Sequence, residues 1–142
     1  MTFINPDRVQ IKSLLNNIKI IAVLGLSPKN NRPSFQVAKS LQGFGYRIIP
    51  VRPAVTEVLG EKAYPDLDSL KRTTDIKIDL LDVFRAPQYV DDIVDQCIEL
   101  EIPAIWLQDG VINHSAALRA QQAGIFTIMD RCIYRDYITF IK

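Results

Sequence analysis

The chain has 142 residues, of which 48% are hydrophobic and 23% charged, and its formal net charge is +1. These values are ordinary for a globular protein with a full core, and the near-zero charge argues against a broad basic face that binds nucleic acid. The two cysteines, Cys97 and Cys132, are too few for a disulfide framework and too far apart for a metal knuckle. No apolar run reaches the about 18 residues that span a bilayer, and no signal peptide is evident at the start. We therefore expect a cytoplasmic protein without a membrane partner.

Strand and helix signals alternate along the chain. The first is a helix start at Asn5-Pro6-Asp7, with Asn5 as the expected N-cap and Pro6 as the first helical residue. Short apolar runs predict strands at Lys19–Leu24, Arg47–Val51, Ile78–Val83, Ala104–Leu107 and Phe126–Met129. Between and after the strands, helices are predicted to begin at Pro33, at Pro87 and near Arg131, and to span Ser115–Ala123. The stretch from Arg52 to about Asp75 is predicted to be irregular, with a short turn of helix near Leu67–Leu70.

This alternation predicts the fold class. Strands that are apolar on both faces are typical of parallel sheets covered by helices on each side, joined by right-handed crossovers. The sequence therefore predicts an α/β fold, a doubly wound parallel sheet of about five strands in an α/β/α arrangement. We expect a single domain over residues 1–142, with an N-terminal helix in 1–17 and the core in 18–142. Ligands of such folds bind at the carboxyl ends of the strands, so the residues that follow each strand are the candidates.

The loop after the first strand is the strongest candidate. The strand leads through Gly25 into a polar loop and then into a helix, the unit with which nucleotide-binding proteins hold phosphates. The loop lacks the second and third glycines of G-x-G-x-x-G and carries two cations instead. A cation just before a helix is unfavourable for the helix dipole unless an anion binds there. The candidate phosphate-binding residues of this loop are Gly25, Ser27, Lys29, Arg32, Pro33 and Ser34.

The end of the second strand indicates the ligand class. An NAD site usually has an acidic residue there, which accepts hydrogen bonds from the ribose hydroxyls. This chain has Arg52 followed by Pro53. An arginine would pair with a phosphate through two parallel hydrogen bonds, so the expected ligand carries a phosphorylated ribose, as NADP and coenzyme A do. The alternative is that Arg52 is a solvated loop residue.

The third and fourth strands add the remaining candidates. Phe84 and Arg85 follow the third strand, and Gln108 and Gly110 follow the fourth. Phe84 would shelter an adenine ring or pack in the core, whereas Gln108 and Gly110 would meet a pyrophosphate or the arm beyond it. Basic residues dominate the first three loops, which concentrates positive charge at one edge of a nearly neutral protein.

No pattern of catalytic residues is found. The sequence lacks a Ser-His-Asp constellation, a metal-ligand cluster and a nucleophile elbow, so no catalytic or metal-binding residue is assigned. His114 precedes a predicted helix and is expected to be structural or solvated. Cys132 lies at a helix start, where a thiolate would be stabilised, but a buried, inert thiol is the favoured interpretation.

Five motifs together suggest a family. They are Gly25-Leu26-Ser27-Pro28-Lys29 with Arg32-Pro33-Ser34, Leu59-Gly60-Glu61-Lys62-Ala63-Tyr64-Pro65, Asp82-Val83-Phe84-Arg85, Trp106-Leu107-Gln108 with Gly110, and Met129-Asp130-Arg131-Cys132. From about Ile18 to Cys132 the chain resembles the stand-alone CoA-binding domain proteins, which are related to the nucleotide-binding domain of succinyl-CoA synthetase alpha subunits. The resemblance implies a Rossmann-like fold, coenzyme A as the ligand and a cytoplasmic location. The chain departs from the family pattern at two positions. One is Arg52, where asparagine often precedes the proline, and the other is Asp109 in the fourth loop.

The leading hypothesis is a non-catalytic protein that binds coenzyme A or an acyl-CoA at the carboxyl ends of the strands. One alternative is a small NADP-binding oxidoreductase or sensor. Another is a partner subunit of an acyl-CoA ligase whose catalytic domains lie on a different chain. The expected macromolecular partners are a second copy of the chain or a CoA-using enzyme, and neither nucleic acid nor a membrane is expected. The sequence does not distinguish free CoA from acyl-CoA.

Overall fold

The computed structural model describes residues 1–142 and contains seven strands and six α-helices. The strands are β1 (Ile20–Leu24), β2 (Arg47–Val51), β3 (Glu57–Val58), β4 (Glu61–Lys62), β5 (Leu80–Val83), β6 (Ala104–Leu107) and β7 (Phe126–Met129). The helices are α1 (Arg8–Asn17), α2 (Pro33–Gly43), α3 (Leu67–Thr73), α4 (Val90–Glu99), α5 (His114–Gln122) and α6 (Ile133–Phe140). None of these helices is long and apolar enough to cross a membrane.

Five strands form one parallel sheet in the order β2-β1-β5-β6-β7, and every neighbouring pair is parallel. The chain moves from β1 to β2 on one side and later returns to place β5 on the other side of β1. This reversal is the topological switch point, and its position places the opening for a ligand above the carboxyl ends of β1 and β5. The predicted doubly wound α/β fold is confirmed.

Helices cover both faces of this sheet. One face packs against α1, α2 and α6, which contribute buried residues such as Leu15, Leu41 and Ile133. The other face packs against α3, α4 and α5. Cys97 of α4 lies in this second core, and burial raises the pKa of its thiol to about 12. The strands are therefore apolar on both sides because both sides are covered.

The predicted start of α1 is wrong by two residues. The N-cap is Asp7, whose carboxylate accepts from Gln10 N at 2.9 Å while Gln10 Oε1 accepts from Asp7 N at 2.9 Å. This reciprocal pair is a capping box. Asn5 is not the cap, because its side-chain amide hydrogen-bonds to both peptide groups of Met129, with distances of 2.8 and 2.9 Å.

Other boundaries also differ from the prediction. Pro87 begins a 3₁₀ turn over Pro87–Tyr89, and the α-helix follows from Val90. The stretch predicted as irregular contains a small antiparallel hairpin of β3 and β4 as well as the two-turn α3. The third predicted strand begins at Leu80 instead of Ile78. Just before it, the Asp79 carboxylate accepts from the backbone N–H groups of Lys19 and Ile20, at the start of the neighbouring strand.

Candidate functional site

A cavity of about 900 Å³ lies at the carboxyl ends of the strands on the side of the switch point. Eleven of the predicted site residues line it: Gly25, Ser27, Lys29, Arg32, Pro33, Ser34, Arg52, Pro53, Phe84, Arg85 and Gln108. Gly110 does not line the cavity, and its N–H donates to Asp130 Oδ1 at 2.8 Å. The structure thus brings together residues from four loops, and their role in holding a ligand stays a prediction.

Gly25 fixes the shape of the first loop. Its φ of +87° is in the left-handed region, and a Cβ built there would lie 2.4 Å from the carbonyl oxygen of Phe84. The Gly25 N–H donates to Val51 O at 2.9 Å, and Phe84 N donates to Leu24 O at 2.9 Å. The loop therefore passes between the ends of β2 and β5 in van der Waals contact with backbone, which only glycine permits.

The two serines of this loop hold its backbone and keep donors free. Ser34 Oγ accepts from Ser27 N at 3.0 Å, and Ser27 Oγ accepts from Lys29 N at 3.1 Å. Each hydroxyl accepts here and still has its own proton to donate. Ser34 is in the first turn of α2, where backbone N–H groups have no helical partner. The site can therefore offer hydroxyl and peptide donors to one anion.

Four cations line the cavity, namely Lys29, Arg32, Arg52 and Arg85, and none of them forms an ion pair. Arg52 is half-buried, and its Nη1 lies 3.5 Å from Gly25 O. The Arg85 guanidinium lies over the Tyr89 ring at 4.3 Å. In a protein with a net charge of +1, this is a local concentration of uncompensated positive charge.

The acidic residue at the cavity is already paired with a cation. Asp109 lines the cavity and accepts two hydrogen bonds from the Arg135 guanidinium, at 2.8 and 2.9 Å. These bonds hold the pKa of the Asp109 carboxyl below its ordinary value. Because the charge of Asp109 is paired with α6, it does not offset the four free cations.

A second carboxyl lies beneath the cavity. Asp82 in β5 is fully buried, its Oδ1 accepts from Gln108 Nε2, and its Oδ2 has no hydrogen-bond partner. Burial raises the pKa of this carboxyl to about 7, and the hydrogen bond from Gln108 lowers it by a smaller amount. The sequence signal is an aspartate inside an otherwise apolar strand, Leu80-Leu81-Asp82-Val83, but Asp82 is not among the predicted site residues.

Several lining residues were not among the predicted site residues. They are Pro28, Val37, Ala54, Val55, Asp109, Val111 and Cys132. An apolar residue such as Val37 carries no sequence signal of a site, because periodicity does not separate a core contact from a cavity wall. Cys132 is half-buried at the cavity wall, so the interpretation as a buried thiol is wrong. His114 is exposed at the start of α5 and does not line the cavity.

Comparisons with known proteins identify relatives over most of the chain. The family model for the CoA binding domain matches residues 19–137. "Uncharacterized protein YneT" of Bacillus subtilis is 38% identical over 129 residues, which are 91% of this chain and 93% of that protein. Acetate–CoA ligase (ADP-forming) I of Archaeoglobus fulgidus is 27% identical over 74 residues, which are 52% of this chain and 11% of the ligase. The solved structure of a hypothetical protein from Pyrococcus horikoshii OT3 has a TM-score of 0.88 and 31% identity, with 100% of both chains covered.

Proposed function

The chain belongs to the CoA binding domain family, and we propose from this premise that it binds coenzyme A or an acyl-CoA in the cavity, without a catalytic step. The observation that carries the proposal is the set of four unpaired cations around a cavity at the switch point. Coenzyme A has a pyrophosphate and a ribose phosphate, so it supplies several anionic groups at once. A ligand with a single charged end would leave most of these cations without partners.

The arrangement of donors suggests how the nucleotide lies. The first loop and the start of α2 would hold the pyrophosphate, with Ser27 and Ser34 as hydroxyl donors and Arg32 as a cation. Arg52 at the end of β2 would pair with the ribose phosphate. The remaining arm would then extend away from β2, past β5 toward β6.

NADP is the competing ligand, because its ribose also carries a phosphate that Arg52 could bind. The family and the similarity to an acetate–CoA ligase favour coenzyme A. The proposal of a ligase partner subunit rests on that similarity alone, and copurification of a larger ligase chain from the native host would test it.

We expect CoA to raise the melting temperature more than NADP or NAD does. A ligand that binds only the native state at a hundredfold excess over its Kd stabilises it by about 2.7 kcal/mol. For a domain of this size that corresponds to a shift of about 10 °C. Thermal scans with CoA, NADP and NAD at equal concentration measure the three shifts in melting temperature. A larger shift with NADP would contradict the proposal in favour of the competing ligand.

Arg32→Glu is expected to weaken CoA binding about tenfold or more, since a charge-assisted hydrogen bond contributes about 1.5–3 kcal/mol. Arg32 is exposed and makes no side-chain cap hydrogen bond, so the fold should tolerate the change. The matched control is Lys39→Glu, which alters the net charge equally at an exposed position of α2 outside the cavity. Calorimetry should find binding by the control close to wild type. Equal weakening in both variants would indicate a long-range charge effect instead of a contact.

Removal of the ribose phosphate should reveal the role of Arg52. Wild type is expected to prefer CoA over dephospho-CoA by roughly five- to a hundredfold, from a partly shielded charge-assisted contact of about 1–3 kcal/mol. Arg52→Ala should abolish most of this preference. Arg47→Ala, at the first residue of β2 and outside the cavity, should retain it. The comparison forms a double-mutant cycle with one change made in the ligand. If Arg52→Ala lowers both affinities equally, Arg52 only shapes the loop.

A further inference from the structure

The buried carboxyl of Asp82 is not required by the packing around it. In the register of the sheet it lies between Val23 of β1 and Trp106 of β6, both buried and apolar. Its Oδ2 is the one fully enclosed side-chain nitrogen or oxygen without a hydrogen-bond partner in the protein. An unsatisfied buried oxygen destabilises the native state, and such groups concentrate at functional sites. A leucine or valine would be the expected residue if Asp82 served the core alone.

The contact that Asp82 makes leads to the cavity. Its Oδ1 accepts from Nε2 of Gln108, and Gln108 lines the cavity while only 4% exposed. The main chain of Gln108 is held as well, because its carbonyl accepts from Val111 N at 2.9 Å. Gln108 Oε1 accepts no hydrogen bond and is not among the enclosed unpaired atoms, so it is open to the cavity.

Above its pKa of about 7 the Asp82 carboxyl is ionised. An ionised carboxylate only accepts hydrogen bonds, so it can pair with the NH₂ end of a glutamine amide but not with its oxygen. We propose that Asp82 is a positioning residue that fixes the Gln108 amide with its oxygen toward the cavity, which makes Gln108 a specificity-determining acceptor for an N–H donor of the ligand. An apolar neighbour, which neither donates nor accepts, would leave both amide orientations available. The cavity would then present a donor as readily as an acceptor at this point.

The proposed function, on which this inference rests, indicates which donor is bound. If the phosphates occupy the first loop and Arg52, the rest of CoA extends toward β6, the strand that Gln108 follows. The pantetheine arm contains amide N–H groups and few charges. Val111, which is apolar, and Cys132, which carries no charged group in its ordinary thiol form, line the cavity after β6 and β7. The acceptor at Gln108 therefore suits a pantetheine amide N–H.

The test compares two ligands, CoA and 3′,5′-ADP, which has the ribose 3′-phosphate and the first phosphate of the pyrophosphate but no pantetheine arm. Calorimetry at pH 8, where Asp82 is ionised, gives both affinities for wild type, Gln108→Met, Asp82→Leu, Asp82→Asn and the double variant Asp82→Leu/Gln108→Met. Gln108→Met, which is close in shape but lacks the amide, should lower CoA affinity about five- to tenfold and change 3′,5′-ADP affinity less than about twofold. Asp82→Leu should act in the same direction through the loss of amide orientation.

Two features separate positioning from a general structural role. Asp82→Asn, which can still accept from Gln108 Nε2 in one orientation of its own amide, should restore part of the CoA preference lost in Asp82→Leu. In the Gln108→Met background, Asp82→Leu should have no further effect on the ratio of the two affinities, because the residue through which it acts is gone.

The outcomes are distinguishable. Wild type that binds neither ligand contradicts the proposed function. Wild type that binds both, together with a CoA preference unchanged in Asp82→Leu or in Gln108→Met, overturns the positioning role. Equal loss of both affinities in Asp82→Leu also overturns it, because it would indicate a distorted cavity. If Asp82→Leu does not fold, the ratio of CoA affinity to 3′,5′-ADP affinity in Gln108→Met and in Asp82→Asn tests the positioning role instead.

Discussion

Gly25→Ala is expected to destabilise the protein by about 3 kcal/mol and to abolish CoA binding. The left-handed conformation of Gly25 costs a residue with a Cβ about 1–2 kcal/mol, and a forced contact in a packed region adds about 1–3 kcal/mol. The atom in the way is the backbone oxygen of Phe84, 2.4 Å from the built Cβ, so relief requires the ends of β1 and β5 to separate. Chemical denaturation measures the free energy of unfolding, and calorimetry with CoA measures the binding.

The matched control for this prediction is Gly124→Ala. Gly124 has nearly the same φ, +88°, but a Cβ there would meet no atom within 4 Å. The control should therefore show the conformational cost alone, about 1–2 kcal/mol, and leave CoA affinity unchanged. Equal losses of stability in the two variants would contradict the clash with Phe84.

Asp82 should make the stability of the protein fall as the pH rises from about 4 to 7. Its pKa is about 7 in the folded protein and 3.8 as the ordinary value, so between these pH values the folded state keeps a proton that the unfolded state has released. Fewer bound protons in the unfolded state mean that stability decreases with pH, by at most about 1.4 kcal/mol per pH unit. Above pH 7 both states are ionised and the contribution is constant.

The measurement is the difference in unfolding free energy between Asp82→Asn and wild type at pH 4.5, 6 and 7.5. Asparagine does not titrate, so the other ionisable groups cancel and the difference isolates Asp82. We expect the variant to gain stability relative to wild type with each step, by about 3 kcal/mol over the range. A difference that stays constant across these pH values would show that the carboxyl is not buried as the structure has it.

The alternation of short apolar runs was sufficient to predict the sheet. The bounds of β2, β6 and β7 agree with the prediction residue for residue, because buried parallel strands carry a continuous apolar signal. The strands β3 and β4 have two residues each, which is too short for a continuous apolar run, and the prediction missed them. The N-cap was misplaced for a different reason: Asn5 and Asp7 are both good caps, and the choice between them depends on a residue 124 positions away.

The candidate site was predicted as far as strand ends determine it. Fold topology brings the residues after β1, β2, β5 and β6 to one place, so the cations of those loops could be named in advance. Pairs of side chains that lie far apart in the sequence could not be named in advance. The carboxylate of Asp109 is paired with Arg135, and the side chain of Gln108 is hydrogen-bonded to Asp82, each across 26 residues. Neither pair has a local sequence pattern, because the contacts are made only when the strands are assembled.

The hydrogen bonds of Asn5 have a consequence for association between chains. β7 is an outer strand of the sheet, and free peptide groups on such a strand are a template on which another polypeptide can add. A side-chain amide carries the same donor and acceptor as a peptide bond, and Asn5 uses both on Met129. Phe3 is buried nearby in the second core, which anchors the segment. The first residues of the chain, which contribute nothing to the cavity, therefore close part of the edge where edge-to-edge aggregation would begin.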